Sequence, residues 1–302
     1  MQQKIQDALA SISQVVLGKE EKIKLALCCL FSGGHLLIED LPGMGKTTLS
    51  HALARVFGLS YQRIQFTSDL LPADVLGVSV YSQKNEQFEF HQGPIFCQLL
   101  LADEINRSTP KTQSALLEAM EEGQVTVEGS TRKLPEPFFV IATQNPSTQT
   151  GTFPLPESQL DRFLMCIELG YPDPKSERIL LQKGGGRSQI DALAVCVSAK
   201  ELSNIQHAIG QVQASDNLLD YLQRLIAFSR APQRFNCGLS PRGSIGLLNC
   251  AKTWAYMDKR TYVIPEDIQA VLPAVVRHRL HAGCTEESGE SAQALLSEVP
   301  VI

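Results

Sequence analysis

Ile5, Leu9, Ile12 and Val16 recur at intervals of four, three and four, the spacing of one face of an amphipathic helix. A second helical stretch runs from Glu20 to about Phe31 and stops at Gly33-Gly34, where left-handed backbone costs little. The short apolar run Leu36-Leu37-Ile38 then reads as a strand, and Lys46 to about Phe57 as the helix after it. Tyr61 to Phe66 is a further strand, followed by a brief helical turn from Pro72 to Gly77. Val78 to Tyr81 and Phe88 to Phe90 flank the polar Lys84-Asn85-Glu86 and predict a hairpin with exposed or half-buried aromatics. Two continuous apolar runs, Leu99 to Ala102 and Phe138 to Ala142, carry the signature of strands buried on both faces of a parallel sheet. Between them lie a helix opened by Thr109-Pro110 and stopped by Gly123, and a second hairpin turning at Glu128-Gly129.

Leu164 to Leu169 reads as the last strand, and beyond Pro172 and Pro174 the pattern becomes helical throughout. The expected architecture is therefore α/β, a parallel sheet flanked by helices over residues 1–172, with an all-α domain over 173–302. Helices are expected after the capping residues Ser198, Ser215 and Ser240 and from Pro265, the last kinked or broken at Pro273. The stretch Thr285 to Ser291 is polar and expected to be mobile, with a short closing helix over Ala292 to Leu296.

Length and composition agree with an ordinary globular chain: 302 residues, 43% hydrophobic and 20% charged. The net charge of -5 supplies no basic field for nucleic acid or an anionic membrane. No apolar run reaches the ~20 residues of a membrane span, and polar residues interrupt the N-terminus where a signal peptide would be apolar. Eight cysteines without a C-x-x-C pair read as free thiols of a cytoplasmic, reducing environment. His278 and His281, three apart, could share a metal, although solvated or capping roles suit them better without a third ligand.

The chemistry gathers at Glu39-Asp40-Leu41-Pro42-Gly43-Met44-Gly45-Lys46-Thr47-Thr48, between a strand and a helix. In that setting Gly43 and Gly45 let backbone N–H groups turn inward on a polyphosphate, Lys46 reaches the β- and γ-phosphates, and Thr47 offers a hydroxyl to Mg²⁺. Asp40 stands where such loops usually carry their first glycine. Asp103 and Glu104 end the buried run Leu99 to Ala102, where α/β sheets bind ligands. Asp103 is placed to hold Mg²⁺ and Glu104 to orient the attacking water. Asn145, after the next buried strand, can hydrogen-bond the γ-phosphate and that water.

These features, with Asp161-Arg162-Phe163 and Ser240-Pro241-Arg242, stand in the order found in AAA+ ATPases. More narrowly, the chain resembles the MoxR group through Gln65 to Asp74, Asp103 to Arg107 and Gln113 to Glu122. The resemblance implies a P-loop AAA+ core with a helical lid, binding ATP and Mg²⁺ and assembling as a homo-oligomeric, usually hexameric ring with ATP at subunit junctions. Pro42 to Thr48 would then be the Walker A loop, Asp103 and Glu104 Walker B, and Asn145 sensor 1. Val16, Leu17 and Gly18 would line the adenine site. Arg242 would be sensor 2, on a lid helix lying over the γ-phosphate. Arg162, with no evident partner in its own chain, would match the finger that reaches a neighbour's γ-phosphate, with Arg107 as the other candidate. The implied role is chaperone-like remodelling of a protein client, such as one carrying a von Willebrand factor A domain. A DNA-acting motor or transcription regulator is the alternative.

Overall fold

The computed structural model describes residues 1–145, 152–183, 187–231, 235, 237–280 and 288–301. In chain order the elements begin with α1 (Gln2–Ser13), α2 (Glu20–Phe31), β1 (Leu36–Glu39), α3 (Lys46–Val56), β2 (Tyr61–Gln65) and α4 (Pro72–Leu76). The first hairpin, β3 (Gly77–Ser82) and β4 (Gln87–Gln92), precedes β5 (Leu99–Asp103) and α5 (Pro110–Glu122). The second, β6 (Gln124–Val127) and β7 (Ser130–Lys133), leads to β8 (Phe139–Gln144), α6 (Glu157–Leu160) and β9 (Met165–Ile167). Helices follow: α7 (Pro174–Lys183), α8 (Arg187–Ile190), α9 (Ala199–Gly210), α10 (Asp216–Ser229), α11 (Pro241–Met257), α12 (Pro265–Val276) and α13 (Ser288–Glu298).

Five strands form one sheet in the order β2-β5-β8-β1-β9, every recorded pairing parallel. Successive strand residues face opposite sides, and the apolar runs use both. Leu36, Ile38, Leu99, Leu101, Phe139, Ile141, Met165 and Ile167 join the buried cluster that includes α1, α2, α3 and much of the helical C-terminal part. Leu37, Leu100, Ala102, Val140, Ala142 and Cys166 join a second cluster with α5. Because every strand runs the same way, the sheet has two chemically different edges. The loop after β1 and the ends of β5 and β8 share the carboxyl edge, while His35 and Arg162, just before β1 and β9, share the amino edge.

Three expectations need correction. Of the kink or break expected at Pro273, the break is absent: helix α12 runs through Pro273 to Val276. Proline removes one helical hydrogen bond there, only a turn before the end, and the flanking Val271, Leu272, Ala274, Val275 and Val276 are buried. The last helix begins at Ser288 rather than Ala292, so part of the stretch read as a mobile tail is helical. His278 is neither solvated nor at a surface cap: it is buried, with Nε2 2.9 Å from the carbonyl of Phe163. His281 lies outside the described residues, and among those described no cluster of three or more His, Cys, Asp or Glu could hold a metal. The cysteines described are free, most of them buried, with Cys237 exposed. No described helix is long and apolar enough to cross a membrane.

The hairpin of β3 and β4 pairs Tyr81 with Phe88 and leaves Val78, Val80, Tyr81 and Phe88 exposed, Phe88 to 72%. Glu128 and Gly129 both have positive φ, 52° and 75°, as the tight turn of the β6–β7 hairpin requires.

Candidate active site

Pro42, Gly43, Gly45, Lys46, Thr47 and Thr48 line a cavity of about 320 Å³ at the carboxyl edge, together with Arg63, Gln65, Asp103, Glu104 and Asn145. Gly43 and Gly45 have φ of 87° and 92°, a region that side chains disfavour, and Gly45 caps the N-terminus of α3. The open N–H groups of that first turn and the helix dipole favour an anion here. Lys46 is turned onto its own loop, its ammonium donating to the carbonyls of Asp40 at 2.6 Å and Leu41 at 3.2 Å. Burial pushes its pKa down, against the upward pull of Asp40, Asp103 and Glu104.

Asp40 explains its place in the loop. One carboxylate oxygen accepts the N–H of Leu41 at 2.8 Å, and the other accepts those of Leu169 at 2.8 Å and Gly170 at 2.7 Å. The residue that departs from the usual glycine therefore ties the start of the phosphate loop to the chain leaving β9.

Asp103 and Glu104 are held from β8. Thr143 Oγ1 donates to Asp103 Oδ1 at 2.6 Å and accepts the Glu104 N–H at 2.8 Å. Glu104 has left-handed backbone, φ 56° and ψ 49°, uncommon for a residue with a side chain and frequent where a site holds a group in place. Its carboxylate is bound by three side chains: Asn145 Nδ2 at 3.2 Å on Oε1, and Gln65 Nε2 at 2.9 Å and Arg107 Nη1 at 3.0 Å on Oε2. Asn145 thus holds the Glu104 carboxylate directly, so a water donating to Glu104 would meet an oriented oxygen. Arg107, the alternative finger, is engaged at its own protomer's Glu104.

Reading the sequence missed Arg63. From β2 it donates to Asp103 Oδ2 through Nε at 3.2 Å and Nη2 at 2.7 Å, and to Gln65 Oε1 at 3.1 Å. Its signal was the two-residue period: Arg63 and Gln65 share the strand face that meets the ends of β5 and β8.

Arg162 and Arg242 lie elsewhere. The two meet on Glu121, near the end of α5: Arg162 Nη1 is 2.7 Å from Glu121 Oε2, and Arg242 Nη2 binds Oε1. Arg162 also donates to the carbonyl of Leu117 at 2.7 Å. Its lack of a partner within its own chain is therefore corrected: α5 crosses to it in space although far away in sequence. With His35, Gly34 and Leu164, both arginines line a separate groove of about 310 Å³. The groove is at the amino edge, since Leu164 N–H donates to the carbonyl of His35 at 2.8 Å, immediately before β1 and β9. The four residues of β1 separate this edge from the phosphate loop, about 13 Å of strand. The expectation that the helix of Arg242 lies over its own γ-phosphate position is corrected with it, because Ser240 caps α11 and bonds Asp161 Oδ2 at 2.9 Å, fixing the start of that helix beside β9's amino end. Among the described residues of the C-terminal helices, Arg277 reaches the carboxyl edge, 2.8 Å from Glu168 and 3.6 Å from Glu39.

Asp161-Arg162-Phe163 divides its labour. Asp161 takes Ser240 and the buried Arg279, whose Nε is 2.8 Å away, Arg162 takes Glu121, and Phe163 is fully buried against α5. Val16, Leu17 and Gly18 do not line the phosphate cavity; their turn packs near Asp173 and Ser176, which leave no room for a Cβ on Gly18.

The donors fit Mg²⁺. Thr47 and Asp103 supply hard oxygen ligands only, and Asp103 already holds a cation, the Arg63 guanidinium. A single carboxylate suits an ion held mainly by phosphate oxygens and water.

Comparison with known proteins agrees with this geometry. The family model described as ATPase family associated with various cellular activities (AAA) matches residues 35–165, and that of the AAA lid domain matches 227–299. The chain is 45% identical to the uncharacterized protein YeaC of Bacillus subtilis over 294 residues, 97% of this chain and 92% of that one. It is 39% identical to Chaperone MoxR1 of Mycobacterium tuberculosis over 286 residues, 91% of this chain and 75% of that one. A crystal structure of a proposed ATPase from Cytophaga hutchinsonii superposes with a TM-score of 0.91 at 36% identity, covering 100% of this chain and 96% of that one. From the phosphate loop through the acidic strand end to the helical C-terminal part, the chain belongs to the MoxR group of AAA+ ATPases, enzymes that bind and hydrolyse ATP.

Proposed function

We propose that this ATPase works as a cytosolic ring of identical subunits, its nucleotide core in residues 1–172 and its lid in 173–302, and that it remodels a protein client. The observation that carries the ring is the placement of Arg162 and Arg242 at the amino edge, away from their own phosphate loop. Two arginines set there serve a triphosphate only if it belongs to the next subunit. Each site would then join the carboxyl edge of one protomer to the amino edge of another.

Within a junction, Lys46 exchanges the carbonyls of Asp40 and Leu41 for the β- and γ-phosphates, and the N–H groups around Gly43 and Gly45 take the phosphate oxygens. Thr47 and Asp103 hold Mg²⁺, which when bound supplies positive charge against that developing on the phosphoryl oxygens. Glu104 takes a proton-side hydrogen bond from the attacking water and aligns it, while Asn145 fixes the Glu104 carboxylate and the γ-phosphate together. The neighbour's Arg162 acts as the finger, with Arg242 beside it on the same phosphate. Val16, Leu17 and Gly18 lie beside the base.

The client reading is supported by the exposed Val80, Tyr81 and Phe88 on a hairpin whose own residues belong to neither buried cluster. A client carrying a von Willebrand factor A domain follows from the MoxR likeness. The net charge of -5 gives the DNA-acting alternative no help. The test is turnover per subunit on dilution with nucleotide saturating. It is expected to fall in step with loss of the assembled species in sedimentation, and constant turnover in monomer would overturn the ring.

A further inference from the structure

Arg63 is a cation inside the phosphate cavity that the ATPase mechanism above does not use. Two of its nitrogens converge on one oxygen, Asp103 Oδ2, at 2.7 and 3.2 Å, leaving Oδ1 to Thr143. It stands on the edge strand with its side chain 43% exposed, against 11% for Asp103, so the arginine has somewhere to go and the carboxylate has not. The remaining guanidinium contact runs to Gln65 Oε1 at 3.1 Å, and Gln65 Nε2 donates to Glu104 Oε2 at 2.9 Å. A carboxamide whose oxygen accepts from Arg63 must present its nitrogen to Glu104. The carboxylate on the metal side and the carboxylate that aligns water are thus connected through Arg63 and Gln65.

We propose that Arg63 is a positioning residue that occupies Asp103 in the nucleotide-free site and is displaced from it when a divalent cation is loaded with nucleotide. This rests on the reading of Asp103 as the metal-side carboxylate. Neutralised by Arg63, Asp103 is kept ordered and ready, and the arginine competes with the cation for the same oxygen. Its departure removes the bond that orients Gln65, so Glu104 is loosened toward water only in a loaded site. A partly exposed ion pair of this kind makes competition modest.

The test measures binding of a fluorescent, non-hydrolysable ATP analogue across free Mg²⁺, from chelated to millimolar, and takes the Mg²⁺ concentration at which the affinity gain is half complete. Arg63→Gln is expected to lower that concentration by about fivefold, the removal of one partly exposed competing pair. Arg63→Lys, which keeps a charge but not two converging donors, is expected to fall between Arg63→Gln and the parent. A half-point in Arg63→Gln equal to or above the parent's overturns the proposal, as does loss of nucleotide binding at every Mg²⁺ concentration, since Arg63 would then hold nucleotide rather than yield to metal. Asp103→Asn separates this from the underlying reading. If it leaves the half-point unchanged, Asp103 is not the metal-side carboxylate and that reading fails; if it raises the half-point while Arg63→Gln does nothing, only the displacement fails.

Discussion

The two edges of one parallel sheet carry different charged groups, which on the proposed reading are two halves of one chemistry. At the carboxyl edge, glycines, Lys46, Asp103, Glu104 and Asn145 surround a cavity shaped for phosphate and water. At the amino edge, Arg162 and Arg242 share a single carboxylate, Glu121, in a groove with nothing resembling a phosphate loop. On that reading the carboxyl edge binds nucleotide and aligns water, while Arg63 and Arg107, which line or border that cavity, are paired with Asp103 and Glu104. The amino edge has arginines and, among the described residues, no phosphate loop. On the proposed reading, binding would belong to one protomer and turnover to two.

Substitutions on the two edges are expected to separate along that line. The largest effect is on turnover: Arg162→Ala is expected to lower kcat by ~10³ or more, the scale of a lost finger, while the affinity for ATP stays at the parent's value. A matching loss of affinity would place Arg162 at its own site and break the comparison. On the other edge, Lys46→Ala is expected to weaken ATP binding by ~10² or more, because the loop loses its only ammonium at the phosphates. Glu104→Gln is expected to keep binding and stop hydrolysis. Equilibrium binding beside steady-state turnover checks all three, and a Glu104→Gln protein that turns over at the parent rate would remove Glu104 from its role.

The sheet could be read from the chain because Leu99 to Ala102 and Phe138 to Ala142 are apolar at every position, a pattern that only a strand covered on both faces requires. The phosphate cavity could be read because its residues cluster at the ends of those strands. What sequence order does not carry is the edge at which a side chain ends up. Arg162 and Arg242 sit in motifs that say nothing of Glu121, and only the crossing of α5 beside β9 brings the three together. Asp40 was legible as a departure from the glycine pattern, yet its reason, the N–H groups of Leu169 and Gly170, belongs to the far side of the domain's chain. The break expected at Pro273 came from a local rule that buried packing overrides.

The remaining predictions concern what holds each edge. Asp40→Gly would restore the customary glycine, yet it is expected to destabilise the fold by about 3 kcal/mol, because the buried N–H of Leu169 and the part-buried N–H of Gly170 lose their acceptor. Denaturant unfolding measures it, and a gain in stability would show that Asp40 matters only to ligand. At the amino edge, His35 is half-buried, its Nε2 3.1 Å from the carbonyl of Met120 and its Nδ1 accepting the N–H of Val140 at 3.1 Å. Burial lowers its pKa from 6.5 to about 4, a neutral ring with one donor and one acceptor. The unfolded chain then binds the extra proton between those values, so His35's contribution is complete above 6.5 and is lost as pH falls toward 4. Stability is expected to drop by roughly 1.5 kcal/mol from pH 6.5 to 5 on this account. His35→Gln, though less stable throughout, is expected to flatten that slope, and an unchanged slope would assign it to other groups.

The proposed shared site is tested most directly by mixing two variants, each expected to be inactive. Arg162→Ala keeps an intact Glu104, and Glu104→Gln keeps an intact Arg162, so neither forms a complete junction alone. In co-assembled rings, some junctions join the Glu104 of one subunit to the Arg162 of the next, and ATPase activity is expected to return in proportion to such neighbours and vanish on dilution. If the two variants co-assemble, each folded and each nearly inactive alone, and the mixture still hydrolyses no more ATP than its components, then Arg162 does not complete a neighbour's site.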